Sequence, residues 1–196
     1  MTEPERTYDL FISYAEADRE AERVSYLTSE AQAAAHRERL RAASQRLVFT
    51  NGIFDLLHAG HVDYLQKARA LGEALFVGLN SDASTAALKG PQRPIVPQAD
   101  RACLLAALAC VDAVILFEEP TAEELVARLQ PDIYVKGGDW QIGNEQSRNT
   151  MDKGKIPPEA AVVRAYGGRV EIIPFLAGYS TSGIIEHILA RYAPGR

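Results

Sequence analysis

Cysteine, lysine, histidine and long apolar runs are all scarce in this 196-residue chain, and each scarcity removes a class of explanation. The only two cysteines, Cys103 and Cys110, stand seven apart in an apolar stretch. On one helix they share a face, which makes them small core residues and not a disulfide or a metal pair. No segment approaches the roughly 18 apolar residues that a membrane crossing needs. The N-terminus is acidic from Glu3 and lacks the basic start and apolar stretch of a secretory leader, so a cytoplasmic protein with no membrane partner is expected. A formal charge of −5 argues against a broad nucleic-acid surface; any affinity for phosphate must be local.

What is present is an ordinary globular composition, 47% hydrophobic and 24% charged, long enough for one sizeable core. Residues 1–45 hold nine acids, six arginines and no lysine, and Ala31–Ala43 is Ala/Arg/Glu-rich with few large apolar side chains. They read as a helical appendage outside the core, suited to covering a sheet edge or joining a homodimer. From Arg46 onward short apolar runs recur: Leu47–Thr50, Ala74–Leu79, Ala113–Phe117, Ile133–Val135 and Val170–Ile173. Such runs suit strands buried on both faces. Between them lie helical patterns: Tyr64, Leu65, Ala68 and Leu71 in a helix beginning near Val62, then Leu104, Leu108 and Val111, and an N-cap with acidic first turn at Thr121–Glu124. Residues 46–196 therefore predict a Rossmann-like, doubly wound α/β domain, with a mainly five-stranded parallel sheet and helices on both faces. Ligands in such folds sit at the carboxyl ends of the strands, here the loops after Thr50, Leu79, Phe117, Val135 and Pro174. A polar insertion, Gln141–Pro158, is long for a connection and reads as a flap or as a disordered stretch.

Two of the four histidines, His58 and His61, fall in His58-Ala-Gly-His61, directly after the first strand and at the start of a helix. A helix N-terminus supplies unpaired N–H groups and positive potential, Gly60 permits close approach, and two imidazoles three positions apart can reach one oxyanion. Ser180-Thr181-Ser182 precedes the stripe Ile184, Ile185, Ile188, Leu189 and Tyr192, a second helix start crowded with donors. Two of the five lysines, Lys89 and Lys136, fall near ligand-facing loops and suit phosphate as compact charges. Asp55 and Asp139 are loop carboxylates fit for sugar hydroxyls, for Mg²⁺ or, at Asp55, for a structural turn.

The run Gly52-Ile-Phe-Asp-Leu-Leu-His-Ala-Gly-His61 resembles the signature of the cytidylyltransferase-like nucleotidyltransferase superfamily. Asn80-Ser-Asp-Ala83, Leu88-Lys-Gly-Pro91, Arg93-Pro-Ile95, Asp100-Arg-Ala102, Val135-Lys-Gly-Gly-Asp139 and Gly178-Tyr-Ser-Thr-Ser182 follow in the order seen in its D-glycero-β-D-manno-heptose 1-phosphate adenylyltransferase branch. This resemblance, spanning about residues 46–190, implies AMP transfer from ATP to a sugar 1-phosphate, with Mg²⁺ and small-molecule substrates. It implies catalytic roles for His58, His61 and Lys89. Nucleotide contacts are implied for Thr50, Asn51, Gly52, Ile53, Phe54, Gly60, Lys136, Gly138, Tyr179, Ser180, Thr181 and Ser182. Acceptor contacts are implied for Asp55, Asn80, Asp82, Arg101, Gly137, Asp139 and Trp140. No direct protein ligand for the metal is assigned. Ile53 departs from the Cys or Thr usual there, so no side-chain hydroxyl or thiol reaches the triphosphate from that position.

Two other readings stand beside this one. A CTP-dependent enzyme acting on glycerol 3-phosphate or another small phosphate is favoured by Gly138-Asp-Trp140 and disfavoured by Phe175, where that subfamily carries Arg. A nucleotide-binding regulator without turnover does not require two intact histidines.

Overall fold

The computed structural model describes residues 27–138 and 156–192. Along them run α1 (Glu30–Ala42), β1 (Leu47–Gly52), α2 (Ala59–Arg69), β2 (Ala74–Asn80), α3 (Asp82–Lys89), α4 (Gln98–Ala106), β3 (Ala113–Phe117), α5 (Glu123–Leu129), β4 (Ile133–Gly137), α6 (Glu159–Ala165), β5 (Arg169–Ile173) and α7 (Thr181–Tyr192). The five apolar runs are the five strands. All pair in parallel, in the order β3-β2-β1-β4-β5. The chain moves outward from β1 to β3, then crosses back to β4 on the other side of β1. A ligand crevice opens at that reversal, beyond the strands' carboxyl ends.

Strand alternation splits the core in two. Leu47, Phe49, Phe76, Ile115 and Tyr134 face the layer of α1, α5 and α6, while Val48, Leu75, Val77, Val114 and Val135 face α2 and α4. Among the described residues no helix is long and apolar enough to cross a membrane.

Several local expectations need correction. From Leu27 onward the N-terminal segment is packed into the fold: Ala33 and Leu40 are core residues and His36 lies 5.0 Å from the Phe76 ring. The helix has few large apolar side chains because its inner face is small, and alanine lets it sit close to the sheet. Arg37 completes the contact with a two-pronged pair to Asp132 at 2.8 and 3.0 Å, and the same carboxylate takes the Leu47 N–H at 2.7 Å. Residues 1–26 lie outside the described residues. Helix α4 ends at Ala106, so Cys110 falls beyond it and the cysteines share no helix face; both are half-buried free thiols. Helix α2 starts at Ala59, earlier than Val62, because His58 is already its extended N-cap. Thr121 caps nothing: Ala122 is the N-cap of α5, and the Thr121 hydroxyl donates to Glu123 at 2.7 Å. Helix α6 stands where the sequence pattern predicts no helix. Most of the insertion, with Asp139 and Trp140, lies outside the described residues.

Candidate active site

A cleft of about 750 Å³ opens over the carboxyl edge of the sheet, lined from the ends of β1, β2, β4 and β5 and by Pro120 and Thr121 beyond β3. On one flank stands the first turn of α2. The His58 and His61 rings are stacked there, with centroids 3.8 Å apart, and Phe54 meets His61 edge-on at 5.4 Å. The Nδ1 atoms of both histidines are buried with no hydrogen-bond partner among the described residues. Burial lowers the His58 pKa; for His61 burial, reinforced by the charge of His58, lowers it to about 4. Both rings are therefore neutral at pH 7, each with one N–H to donate. Gly60 is required for packing as well: a Cβ there would stand 2.8 Å from Tyr179 Cβ and 3.1 Å from the His58 ring.

The loop joining β1 to α2 is held in a strained shape. Phe54 and Leu56 both adopt left-handed backbone, φ 50° and 48°, on either side of Asp55. Three elements hold it. The Asp55 carboxylate accepts from Arg93 Nε at 2.7 Å and from the N–H groups of Ile95 and Val96 at 2.9 and 3.0 Å. Burial alone would push its pKa up, but these donors outweigh it and hold the carboxyl below its usual range. Arg101, 1% exposed, donates from Nη1 to the Ile53 carbonyl at 2.6 Å and the Asn80 carbonyl at 3.0 Å. Its Nη2 pairs with Asp82 at 2.7 Å. Finally, the Thr181 hydroxyl donates to the Asp55 carbonyl at 2.9 Å. The start of α7 is thereby tied to the loop that presents the histidines.

On the other flank, below α6, Asn51 sits at the centre of a polar network. Its Oδ1 accepts from Tyr134 Oη at 2.7 Å and Lys136 Nζ at 2.9 Å, and its Nδ2 donates to Glu159 Oε1 at 3.3 Å. Glu159 Oε1 also takes the Ala122 N–H at 3.1 Å. Burial, with Glu159 alongside, raises the Tyr134 pKa well above its usual range.

Of the residues named from sequence, Asn51, Gly52, Ile53, Phe54, Asp55, His58, Gly60, His61, Asn80, Lys89, Lys136, Gly137, Tyr179, Ser180, Thr181 and Ser182 line the cleft. Four do not. The Thr50 hydroxyl is buried against Tyr64 Oη at 2.6 Å; Asp82 and Arg101 bind each other behind the loop; and Gly138 lies under the Phe175 ring, which leaves no room for a Cβ. Asp55 lines the wall, but its carboxylate is consumed by three donors from the 93–96 segment. The Ser180 Oγ accepts from Gly183 N–H at 3.0 Å, so it caps α7 and keeps its own proton to give. Thr181 has spent its proton on Asp55, leaving its backbone N–H for an anion. Glu159 and Arg93 were not read as site residues. Pro157-Pro158-Glu159 before an Ala/Val run was the available signal for a helix start at Glu159.

Residues 49–186 match the model of the cytidylyltransferase-like family. Over 153 residues the chain is 52% identical to the bifunctional protein HldE of Pelobacter propionicus, an alignment covering 78% of this chain and 29% of that protein. The HldE protein of Geobacter sulfurreducens is 49% identical over 152 residues, with the same two coverages, 78% and 29%. The chain thus spans under a third of the length of these relatives. Among solved structures, the lipopolysaccharide core biosynthesis protein of Thermoplasma volcanium superposes with a TM-score of 0.50 at 30% identity, covering 67% of this chain and 97% of that one.

Proposed function

This chain belongs to the cytidylyltransferase-like family, and we propose that it is a nucleotidyltransferase moving AMP from ATP to a sugar 1-phosphate, D-glycero-β-D-manno-heptose 1-phosphate, with release of pyrophosphate. The observation that carries this reading is the meeting of two helix starts in one cleft, the stacked His58 and His61 on α2 and Ser180–Ser182 on α7, linked through Thr181 and the Asp55 carbonyl. The likeness to a lipopolysaccharide core biosynthesis protein supports an activated sugar as the product.

In this reading the acceptor phosphate oxygen attacks the α-phosphorus in line and pyrophosphate leaves; no covalent enzyme intermediate forms. His58 and His61, neutral at pH 7, each donate an N–H to α-phosphate oxygens as charge builds on them. The Ser180 hydroxyl and the first N–H groups of α7 hold the departing pyrophosphate, and Lys89 and Lys136 offset charge on either side. Mg²⁺, when bound, would offset the charge of the triphosphate. Among the described residues no three His, Cys, Asp or Glu side chains gather to hold a resident ion, and the cleft's Asp55 is already saturated by donors. The homodimer expected from the sequence remains part of the proposal, checked by sedimentation.

Pyrophosphate release with ATP and heptose 1-phosphate tests the reaction: it should stop with EDTA and return with Mg²⁺. Absence of pyrophosphate release with any nucleoside triphosphate and any sugar phosphate overturns it.

A further inference from the structure

Among the described residues, Glu159 is the one buried acid whose position the reaction outlined above leaves unexplained. It is 1% exposed and lines the cleft at the first residue of α6; its Oε1 accepts from Asn51 Nδ2 and the Ala122 N–H, and the Tyr134 hydroxyl lies alongside the carboxylate. Oε2 is buried with no partner among the described residues. A buried carboxylate oxygen without a donor is costly, and such an atom beside a ligand cleft calls for a donor from the ligand.

The chemistry of that donor follows from the surroundings. A carboxylate repels a polyphosphate, and the helix starts that suit one lie on the α2 flank, across the sheet edge from Glu159. A neutral hydroxyl answers the need at Oε2. Lys136 stands on the other side of Asn51, so the Asn51 amide separates an ammonium from a carboxylate: one suits an acceptor's phosphate, the other its hydroxyls. Glycerol and sugar phosphates alike carry both groups, but a buried, geometrically fixed oxygen distinguishes one hydroxyl's position and configuration from another's.

We propose that Glu159 Oε2 accepts a hydrogen bond from a hydroxyl of the acceptor and so is a specificity-determining residue for a polyhydroxylated phosphate; this rests on the sugar-phosphate reading above. Asn51, pinned by Tyr134 and Lys136, is the positioning residue that fixes the carboxylate.

The test is steady-state kinetics of the full chain with Glu159→Gln, which keeps an oxygen for Asn51 and Ala122 but sets an NH₂ where Oε2 accepts. The acceptor KM should rise about tenfold to a hundredfold, while the KM for ATP stays within twofold. Acceptors lacking one hydroxyl each, or inverted at one carbon, should reveal a single position that costs wild type at least about tenfold and costs E159Q little. A merely structural Glu159 would lower thermal stability and kcat without selecting a hydroxyl. An unchanged acceptor KM in E159Q, an effect confined to ATP, or a wild type indifferent to every single hydroxyl would overturn the inference while leaving nucleotidyl transfer intact. Wild type that turns over no sugar phosphate at all would instead overturn the reading it rests on, and the inference with it.

Discussion

The imidazoles of His58 and His61 lie nearly face to face, 19° from parallel, at the N-terminal turn of α2. Two such rings cannot both become imidazolium cations cheaply, and burial opposes even one. They are built as neutral donors, whose contribution grows as charge develops on the α-phosphate. His61→Ala should lower kcat by about 10²–10³ with much less change in ATP binding, and His58→Ala should behave similarly. Turnover within threefold of wild type for both would remove the histidines from the chemistry.

The same burial sets a pH dependence of stability. His61 holds its proton less tightly folded, with a pKa of about 4, than unfolded, near the ordinary histidine value of 6.5. The unfolded chain therefore binds more protons between those values, and stability is lost as pH falls from about 6.5 towards 4. Above 6.5 the ring is neutral in both states and contributes no slope. Nuclear magnetic resonance titration of the ligand-free protein should place the His61 transition close to 4, and His61→Ala should flatten the fall in melting temperature over this interval. A His61 transition above pH 6 would contradict the burial argument.

Asp55 is expected to act through the backbone. Its carboxylate, 1% exposed at the side chain, gathers Arg93 and two N–H groups, so Asp55→Ala leaves a partly buried guanidinium and two amides unsatisfied. We expect a loss of about 2–4 kcal/mol, read by denaturant unfolding, together with reduced turnover as the loop relaxes. If Asp55 were instead a ligand for metal or sugar, Asp55→Ala would keep its stability and lose only substrate affinity.

How much of this was legible in the sequence depended on whether a residue's partner was local. The strands were, because Leu47–Thr50 or Ala74–Leu79 admit few other readings, and so was the pairing of a strand end with His58 and His61. Asp55, Asp82 and Arg101 looked like substrate ligands because a polar side chain beside a ligand loop has the same sequence appearance whether it faces the ligand or braces the loop from behind. Only the fold reveals that Arg101 meets the Ile53 carbonyl 48 positions away. The inner face of α1 was hidden for a related reason: alanine carries no hydrophobic stripe, and Arg37 reads as solvated until Asp132 is placed beside it. Glu159 is inconspicuous in the sequence because it follows a long polar stretch and opens a helix of only seven residues, too short for a clear apolar period.

Helix α1 should be integral to stability. Leu40→Ala removes a residue 5% exposed in the core and should cost about 2–4 kcal/mol, and Arg37→Ala should also destabilise, by stripping Asp132 of its two-pronged partner. Neither should shift the KM of either substrate. Thermal and urea unfolding beside steady-state kinetics would check both; unchanged stability in both variants would return α1 to the status of an appendage.

The most direct test of nucleotidyl transfer to a sugar is identification of the product by mass spectrometry, with the protein given equimolar ATP and CTP and an equimolar mixture of heptose 1-phosphate and glycerol 3-phosphate. ADP-heptose and pyrophosphate should accumulate together in equal amounts, with the cytidine product at background. CDP-glycerol as the main product, or hydrolysis of ATP with no sugar nucleotide formed, would contradict it.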